Sequence, residues 1–113
     1  MHEVSICEHL LVILAQEAKQ HGVSRIVRLR VQIGRLSCLD PEALRFAFDA
    51  IAPGTIAENA ELQIDCPPVR ATCKDCGSDV DLETRLDACR ACGSTRLELH
   101  SGEEMRLLEM EAA

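Results

Sequence analysis

The chain has 113 residues, of which 47% are hydrophobic and 27% charged, enough for one small domain or a modest core with a metal-bound appendage. Nineteen acidic against twelve basic residues give a net charge of −7, which argues against binding nucleic acid through its phosphates. No segment approaches the ~20 apolar residues of a membrane helix, and acids stand where a signal peptide has basic residues, so a cytoplasmic location without membrane contact is predicted.

Helix and strand patterns alternate in the first half of the chain. Apolar residues at helical spacing predict a helix over 5–21, with Ser5 as its N-cap. Strict alternation of apolar and polar residues predicts a half-buried strand over 24–34. Asp40, followed by a proline and an acid, predicts the start of a second helix that runs to Ile51.

The second half contains two further strand patterns around a cysteine-rich segment. Alternation predicts a strand over 62–66, which Pro67-Pro68 interrupts and which residues 69–71 could resume. The last pattern, over 103–112, predicts a strand, with a short helix as the alternative. Residues 72–96 have little periodic apolar content and are predicted to form a separate metal-centred lobe.

The order of these elements predicts an α+β fold in which the main body is discontinuous in sequence. A small three-stranded sheet packs with two helices, and the cysteine-rich lobe is inserted before the last strand. The predicted boundaries are 1–70 plus 101–113 for the main domain and 71–100 for the lobe.

Four of the seven cysteines form the strongest motif in the sequence. Two Cys-x-x-Cys pairs, each followed by glycine, are separated by twelve residues. Two such pairs brought together form a tetrahedral S₄ site, which suits a structural Zn(II) with sulfur at ~2.3 Å and no open position. The candidate ligands are Cys73, Cys76, Cys89 and Cys92.

Several alternatives to zinc remain at this stage. A redox pair needs only one Cys-x-x-Cys at a helix N-terminus, and the doubled motif argues against it. The spacing of the four cysteines does not distinguish a zinc site from an iron site of the rubredoxin type. The other three cysteines, Cys7, Cys38 and Cys66, are predicted to be buried as small hydrophobic residues.

The N-terminal Met1-His2-Glu3 offers a second potential metal site. The α-amine of Met1, the amide nitrogen of His2 and its imidazole can form fused chelate rings, and planar nitrogen donors suit Ni(II) or Cu(II). A fourth donor could be the backbone nitrogen or the carboxylate of Glu3. From these residues alone, a solvated terminus without a ligand role is the simpler interpretation. The remaining histidines, His9, His21 and His100, are better explained structurally.

Taken together, Met1-His2-Glu3 before an amphipathic helix, the element order and the doubled Cys-x-x-Cys resemble the HypA/HybF family of nickel metallochaperones. The resemblance covers essentially the whole chain. It implies that Met1, His2 and Glu3 bind Ni(II) as cargo in a nickel-binding domain, and that the four cysteines hold Zn(II). One departure is visible: the second pair reads Cys89-Arg-Ala-Cys92, where many members have proline after the first cysteine.

The resemblance also implies a function without catalysis. Members work with a HypB-type maturation GTPase and deliver Ni(II) to the precursor of the hydrogenase large subunit. On this interpretation the protein is a carrier, not an enzyme, and a monomer or weak homodimer. Two alternatives remain: a zinc-ribbon module that contacts nucleic acid or a protein assembly without a nickel role, and a structural subunit of a larger assembly.

Overall fold

The computed structural model describes residues 2–113, with side chains from residue 3 onward. In chain order the elements are α1 (His2–Gln20), β1 (Ile26–Ile33), α2 (Pro41–Ile51), β2 (Glu61–Asp65), β3 (Val69–Cys73), β4 (Asp79–Leu82), β5 (Leu97–Leu99) and β6 (Met105–Ala112). The predicted α+β class is confirmed. Neither of the described helices is long and apolar enough to span a bilayer.

The strands form two separate three-stranded sheets, with orders β2-β1-β6 and β4-β3-β5. The first sheet contains the three strands predicted from alternation, and β6 is a strand rather than the alternative helix. The second sheet was not predicted. The suggestion that residues 69–71 resume the strand before Pro67 is therefore wrong, because β3 begins a new sheet after the two prolines.

The chain divides into two compact units, each built from more than one segment. Unit 1 consists of Met1–Val31, Leu39–Asp65 and Arg106–Ala113, and unit 2 of Gln32–Cys38 and Cys66–Met105. Unit 2 extends beyond the range 71–100 proposed for the cysteine-rich lobe. It includes a segment from the first half of the chain because residues 34–36 hydrogen-bond to residues 102–104.

Unit 1 has an apolar core between its two helices and its sheet. From Arg28 to Ile33 of β1, buried residues alternate with more exposed ones, so one face of this part of the strand joins the core. The thiol of Cys7 on α1 is fully buried and donates a hydrogen bond to the Leu44 carbonyl on α2, at 3.4 Å. The largest buried side chains of the unit are Leu10, Leu14, Ile26, Leu29, Leu44 and Phe48.

The start of α2 follows the sequence signals, whereas the start of α1 does not. The Asp40 carboxylate accepts a hydrogen bond from the Glu42 amide at 3.1 Å, as expected of an N-cap. By contrast, α1 begins at His2, so the prediction of Ser5 as N-cap is wrong. Residues 2–4 include no helix breaker, and Glu3 places an acid in the first turn, where the helix dipole favours it.

Unit 2 is an antiparallel sheet with a small core. β3 is the central strand and pairs with β4 and β5, with Thr72 opposite both Asp79 and Glu98. Its core cluster consists of Val69, Ala71 and Leu82, with Leu36, Val80 and Leu97 packed against it. So little buried apolar surface is marginal for the stability of a separate unit.

Two glycines allow the separate segments of unit 2 to approach closely. The Gly34 amide donates to the Glu104 carbonyl at 2.9 Å, and the Leu36 amide donates to the Gly102 carbonyl at 2.6 Å. A Cβ atom at Gly34 would lie 2.2 Å from the Gly102 carbonyl carbon. Position 34 therefore has no room for a side chain unless the backbone moves.

Candidate metal centre

Both Cys-x-x-Cys pairs lie in tight turns with the same backbone hydrogen bonds. In the first loop (73–78), the Cys73 amide donates to the Ser78 carbonyl and the Gly77 amide donates to the Cys73 carbonyl, both at 2.9 Å. Gly77 has φ +76°, a conformation that favours glycine. The turn places the Cys76 amide 3.5 Å from the Cys73 sulfur, where it can stabilise a thiolate.

The second loop (89–94) repeats this geometry. The Cys89 amide donates to the Ser94 carbonyl at 2.8 Å, the Gly93 amide donates to the Cys89 carbonyl at 2.7 Å, and Gly93 has φ +80°. The loop therefore forms without a proline after its first cysteine. Backbone hydrogen bonds and the glycine suffice to turn the chain.

The four predicted cysteines converge on one point. Their sulfur atoms all lie within 4.8 Å of one another. Across the two loops, the Cys73 and Cys92 sulfurs are 3.6 Å apart and the Cys76 and Cys89 sulfurs are 3.7 Å apart. A regular tetrahedron with metal–sulfur distances of 2.3 Å has edges of about 3.8 Å, so both distances fit a tetrahedral S₄ centre.

Burial and charge differ among the four thiols. Cys73 and Cys89 are buried, whereas Cys76 and Cys92 are exposed. Hydrogen bonds from the hydroxyl and amide of Ser78 lower the pKa of Cys76 to about 6, and the Cys76 amide lowers the pKa of Cys73. The Ser94 amide also acts to lower the pKa of Cys92, but hydrogen bonding to the neighbouring Cys73 thiol and partial desolvation outweigh this effect and raise that pKa to about 12. A metal ion would displace the remaining protons.

The predicted N-terminal ligands are only partly within the described residues. Met1 lies outside them. His2 is the first residue of α1, and its side chain is not described. The Glu3 carboxylate accepts a hydrogen bond from the Asp40 amide at 3.3 Å, and this bond is the main reason that the pKa of Glu3 is lowered.

The other cysteines have three different environments. Cys7 is buried, as predicted, and Cys66 is half-buried. The burial predicted for Cys38 is wrong: this residue is exposed, in the segment between β1 and α2, and it adopts φ +63°.

The three other described histidines are all exposed, and two have polar neighbours. The Nε2 atom of His21 is 3.7 Å from the Glu17 carboxylate, and the His100 ring nitrogen is 2.7 Å from the Thr72 hydroxyl. Among the described residues, the four-cysteine cluster is the one group of three or more potential metal-ligating side chains that converges.

Sequence analysis missed a polar group that joins the two cysteine loops. Asp75, in the middle of the first loop, accepts hydrogen bonds from the Ser94 hydroxyl at 2.5 Å and from Arg96 Nη1 at 2.6 Å. The only sequence signal is an acid inside one loop and a serine and an arginine just after the other. Local patterns give no reason to pair them.

The sequence model of the family described as "Hydrogenase/urease nickel incorporation, metallochaperone, hypA" matches residues 1–112 of this chain. The chain belongs to the HypA family. This family consists of metallochaperones, not enzymes, and acts in nickel incorporation for hydrogenase maturation. The protein's partners therefore belong to that pathway.

Relatives and solved structures of the HypA family match over nearly the full chain. The Hydrogenase maturation factor HypA of Paracoccus denitrificans is 44% identical and that of Rhodobacter capsulatus 43%, each over 98% of both chains. The solution structure of the Ni metallochaperone HypA from Helicobacter pylori has a TM-score of 0.69 and 28% identity, over 97% of this chain and 96% of that one. A second HypA solution structure has a TM-score of 0.71 and 31% identity, over 100% and 97%.

Proposed function

We propose that this protein binds Ni(II) at its N-terminus and delivers it for the maturation of nickel–iron hydrogenase, while its four cysteines hold a structural Zn(II). The observation that supports this function best is the HypA family match, which extends over 1–112 and so includes both the N-terminal residues and the cysteine loops. The domain that we propose for nickel contains the two helices, and the domain that we propose for zinc contains the cysteines.

The proposed nickel ligands are Met1, His2 and Glu3. The amide of His2 is among the first four of α1, and these amides have no acceptor within a helix. Coordination by this nitrogen would therefore break no hydrogen bond inside α1. Because the Glu3 carboxylate already accepts a hydrogen bond from Asp40, we favour the Glu3 backbone nitrogen as the fourth donor.

The two sites suit different roles. Four thiolates close a tetrahedral shell and leave no position for exchange, which is typical of structural zinc. By contrast, the proposed nickel site consists largely of main-chain nitrogens at a chain end. The ligands of an acceptor protein can replace these donors one at a time, and the nickel ion is transferred in the process. Delivery of nickel requires the second kind of site.

We further propose that the partners are a HypB-type GTPase and the hydrogenase large-subunit precursor, that the protein acts in the cytoplasm, and that it is a monomer or weak homodimer. The partner proposal rests on the family match over residues 1–112. Calorimetry at high micromolar concentration, with and without nucleotide and nickel, is expected to detect binding to the GTPase. No heat under any of these conditions would contradict this partner.

The alternative of a nucleic-acid-binding zinc ribbon receives less support from the charges of unit 2. Such a module needs arginines that can reach phosphates. Four arginines of unit 2 instead lie within 3.1 Å of carboxylates of the same unit; they are Arg35, Arg70, Arg85 and Arg96.

A nickel titration tests the function. It compares untagged, zinc-loaded wild type with His2→Ala and, as a matched control, His21→Ala, which removes an exposed histidine from the turn after α1. Mutation of a residue that merely hydrogen-bonds to a metal ligand typically lowers metal affinity by about 10–100-fold. Loss of a ligand itself in His2→Ala is therefore expected to weaken nickel binding by about 100-fold or more. The control should bind like wild type, and zinc content should not change.

Two further conditions sharpen this test. Extending the chain by one residue before Met1 moves the α-amine and should abolish the specific site, whereas a C-terminal extension should not. Binding should also weaken as the pH falls through the ~6.5 reference pKa of histidine, because protons compete for the imidazole. Equal nickel affinity in wild type and His2→Ala would refute the proposed site.

A further inference from the structure

We infer that Asp75 is a positioning residue that fixes one cysteine loop against the other, so that the four sulfurs keep a tetrahedral arrangement that favours zinc over nickel. This inference rests on the proposed zinc site. It concerns a difficulty specific to a nickel carrier: the protein handles Ni(II) while it displays four thiolates that could also bind that ion.

The contacts of Asp75 join the centre of the first loop to the segment that follows the second. One carboxylate oxygen accepts from the Ser94 hydroxyl and the other from the Arg96 guanidinium. The acceptor of the Arg96 amide is the same Ser94 hydroxyl, at 3.0 Å, and the Lys74 amide donates to the Arg96 carbonyl at 2.8 Å. Both carboxylate oxygens are thus engaged across the two loops.

These contacts differ from the hydrogen bonds that shape each loop. The bonds from Cys73 to Ser78 and from Cys89 to Ser94 lie within single loops and do not oppose rotation of one loop against the other. The second loop has Ala91 at the position equivalent to Asp75, so no reciprocal contact exists from that side. Apart from the contacts among the four thiols and the backbone bond from Lys74 to Arg96, the Asp75 side chain makes the connection between the loops in the described residues.

The relative orientation of the loops determines which metal fits. In a tetrahedral site the sulfur pair of one loop is perpendicular to the pair of the other, whereas in a square-planar site all four sulfurs share a plane. Zn(II) has no electronic preference and accepts the tetrahedron, but four-coordinate Ni(II) favours planar arrangements. A contact that resists rotation of the loops therefore disfavours nickel more than zinc.

The test measures the ratio of nickel to zinc affinity at the cysteine site in the full chain. Wild type, Asp75→Ala, Asp75→Asn and Asp81→Ala are equilibrated with chelator-buffered mixtures of the two ions. Thiolate-to-nickel charge-transfer absorption reports nickel on sulfur, and the proposed N-terminal site, with nitrogen and oxygen donors, does not contribute to it. Asp81 is the matched control because it forms a comparable ion pair, with Arg70 at 3.1 Å, on the same sheet and lies outside both cysteine loops.

The rise in the nickel-to-zinc ratio is expected to differ among the variants. Because Asp75 and Arg96 are both exposed, Asp75→Ala should raise the nickel-to-zinc ratio by only about three- to tenfold, at or below the range seen when partners of metal ligands are removed. Asp75→Asn retains an acceptor for the Ser94 hydroxyl and should show a smaller rise. Asp81→Ala should match wild type. If Asp75→Ala does not fold, Ser94→Ala removes one of the two bonds and should raise the ratio about two- to threefold.

Two outcomes would overturn the inference. The first is an unchanged ratio in Asp75→Ala, or in Ser94→Ala where that variant replaces it; if the ratio is unchanged because both affinities fall equally, Asp75 only stabilises the loops. The second is an absence of zinc from the cysteine site of wild type. Elemental analysis of untreated wild type separates these results from failure of the proposed function: without zinc in the cysteine site both fail, whereas with zinc and an unchanged ratio only the role of Asp75 fails.

Discussion

The two units of this protein are stabilised by different means. Unit 1 packs two helices on a sheet around large apolar side chains such as Leu14 and Phe48. Unit 2 has a core cluster of three buried residues, Val69, Ala71 and Leu82, and its other buried side chains include two of the four clustered cysteines. Hydrophobic burial is therefore the main stabilising contribution in unit 1. We expect the stability of unit 2 to depend instead on a metal ion bound by the four cysteines.

This difference is relevant to the proposed function. A structural metal replaces a large apolar core at the cost of four thiols, and those thiols must then be protected from the cargo ion. On the proposed function, the metal that stabilises unit 2 and the metal that the protein delivers are thus bound by different donor sets.

The largest effect is expected from removal of a buried cysteine of the cluster. Structural zinc supplies ~10 kcal/mol or more of folding free energy in small sites, so Cys89→Ala should lose the metal and unfold unit 2 while the helices of unit 1 persist. Elemental analysis and amide NMR measure the two effects. The control is Cys66→Ala, outside the cluster, which should retain the metal. Full zinc occupancy in Cys89→Ala would refute the S₄ assignment.

The next effect concerns unit 1 and uses the two phenylalanines of α2. Phe48 is 1% exposed and Phe46 is 78% exposed. Truncation of a buried phenylalanine costs about 3–5 kcal/mol, so Phe48→Ala should lower the free energy of unfolding of unit 1 by that amount. Phe46→Ala should change it by less than about 0.5 kcal/mol. Denaturant titration of zinc-loaded protein measures both, and similar values for the two variants would contradict the core described here.

The smallest effect is a pH dependence at Cys7. Burial, with a smaller contribution from Glu3, raises the pKa of Cys7 from 9.0 to about 11. Because the Cys7 thiol holds its proton more tightly in the folded state than in the unfolded chain, the protonated thiol stabilises the fold. This contribution is fully present below pH 9 and is lost as the pH rises towards 11. We expect wild type to lose about 1–2 kcal/mol more than Cys7→Ala across this interval. Parallel stability curves for the two proteins would show that the Cys7 thiol is not buried in solution.

The sequence was most informative where the structural signal is local. Asp40 lies directly before α2 and caps it, and the alternation over 24–34 predicted β1 because one face of that strand is buried. Spacing was also enough to group the four cysteines. The start of α1 was misplaced because Ser5 is a good cap in isolation, whereas Glu3 accepts a hydrogen bond from Asp40, 37 residues away.

Features that depend on distant residues could not be predicted. β4 and β5 are only four and three residues long, so their alternation of acidic and apolar residues is too short to indicate strands. The contact of Asp75 with Arg96 spans 21 residues and exists only after both loops have formed. The close approach of Gly34 to Gly102 likewise requires the complete unit 2.

The segment order within the two units has a consequence for truncation of the chain. Unit 2 ends at Met105, whereas unit 1 is completed by Arg106–Ala113, and Arg28 on β1 pairs with Glu111, 83 residues later. A chain cut after Met105 therefore retains every segment of unit 2 and both cysteine loops, but lacks nearly all of β6, an outer strand of the first sheet. Loss of the last few residues is thus expected to destabilise the unit that begins with α1 rather than the unit next to the cut.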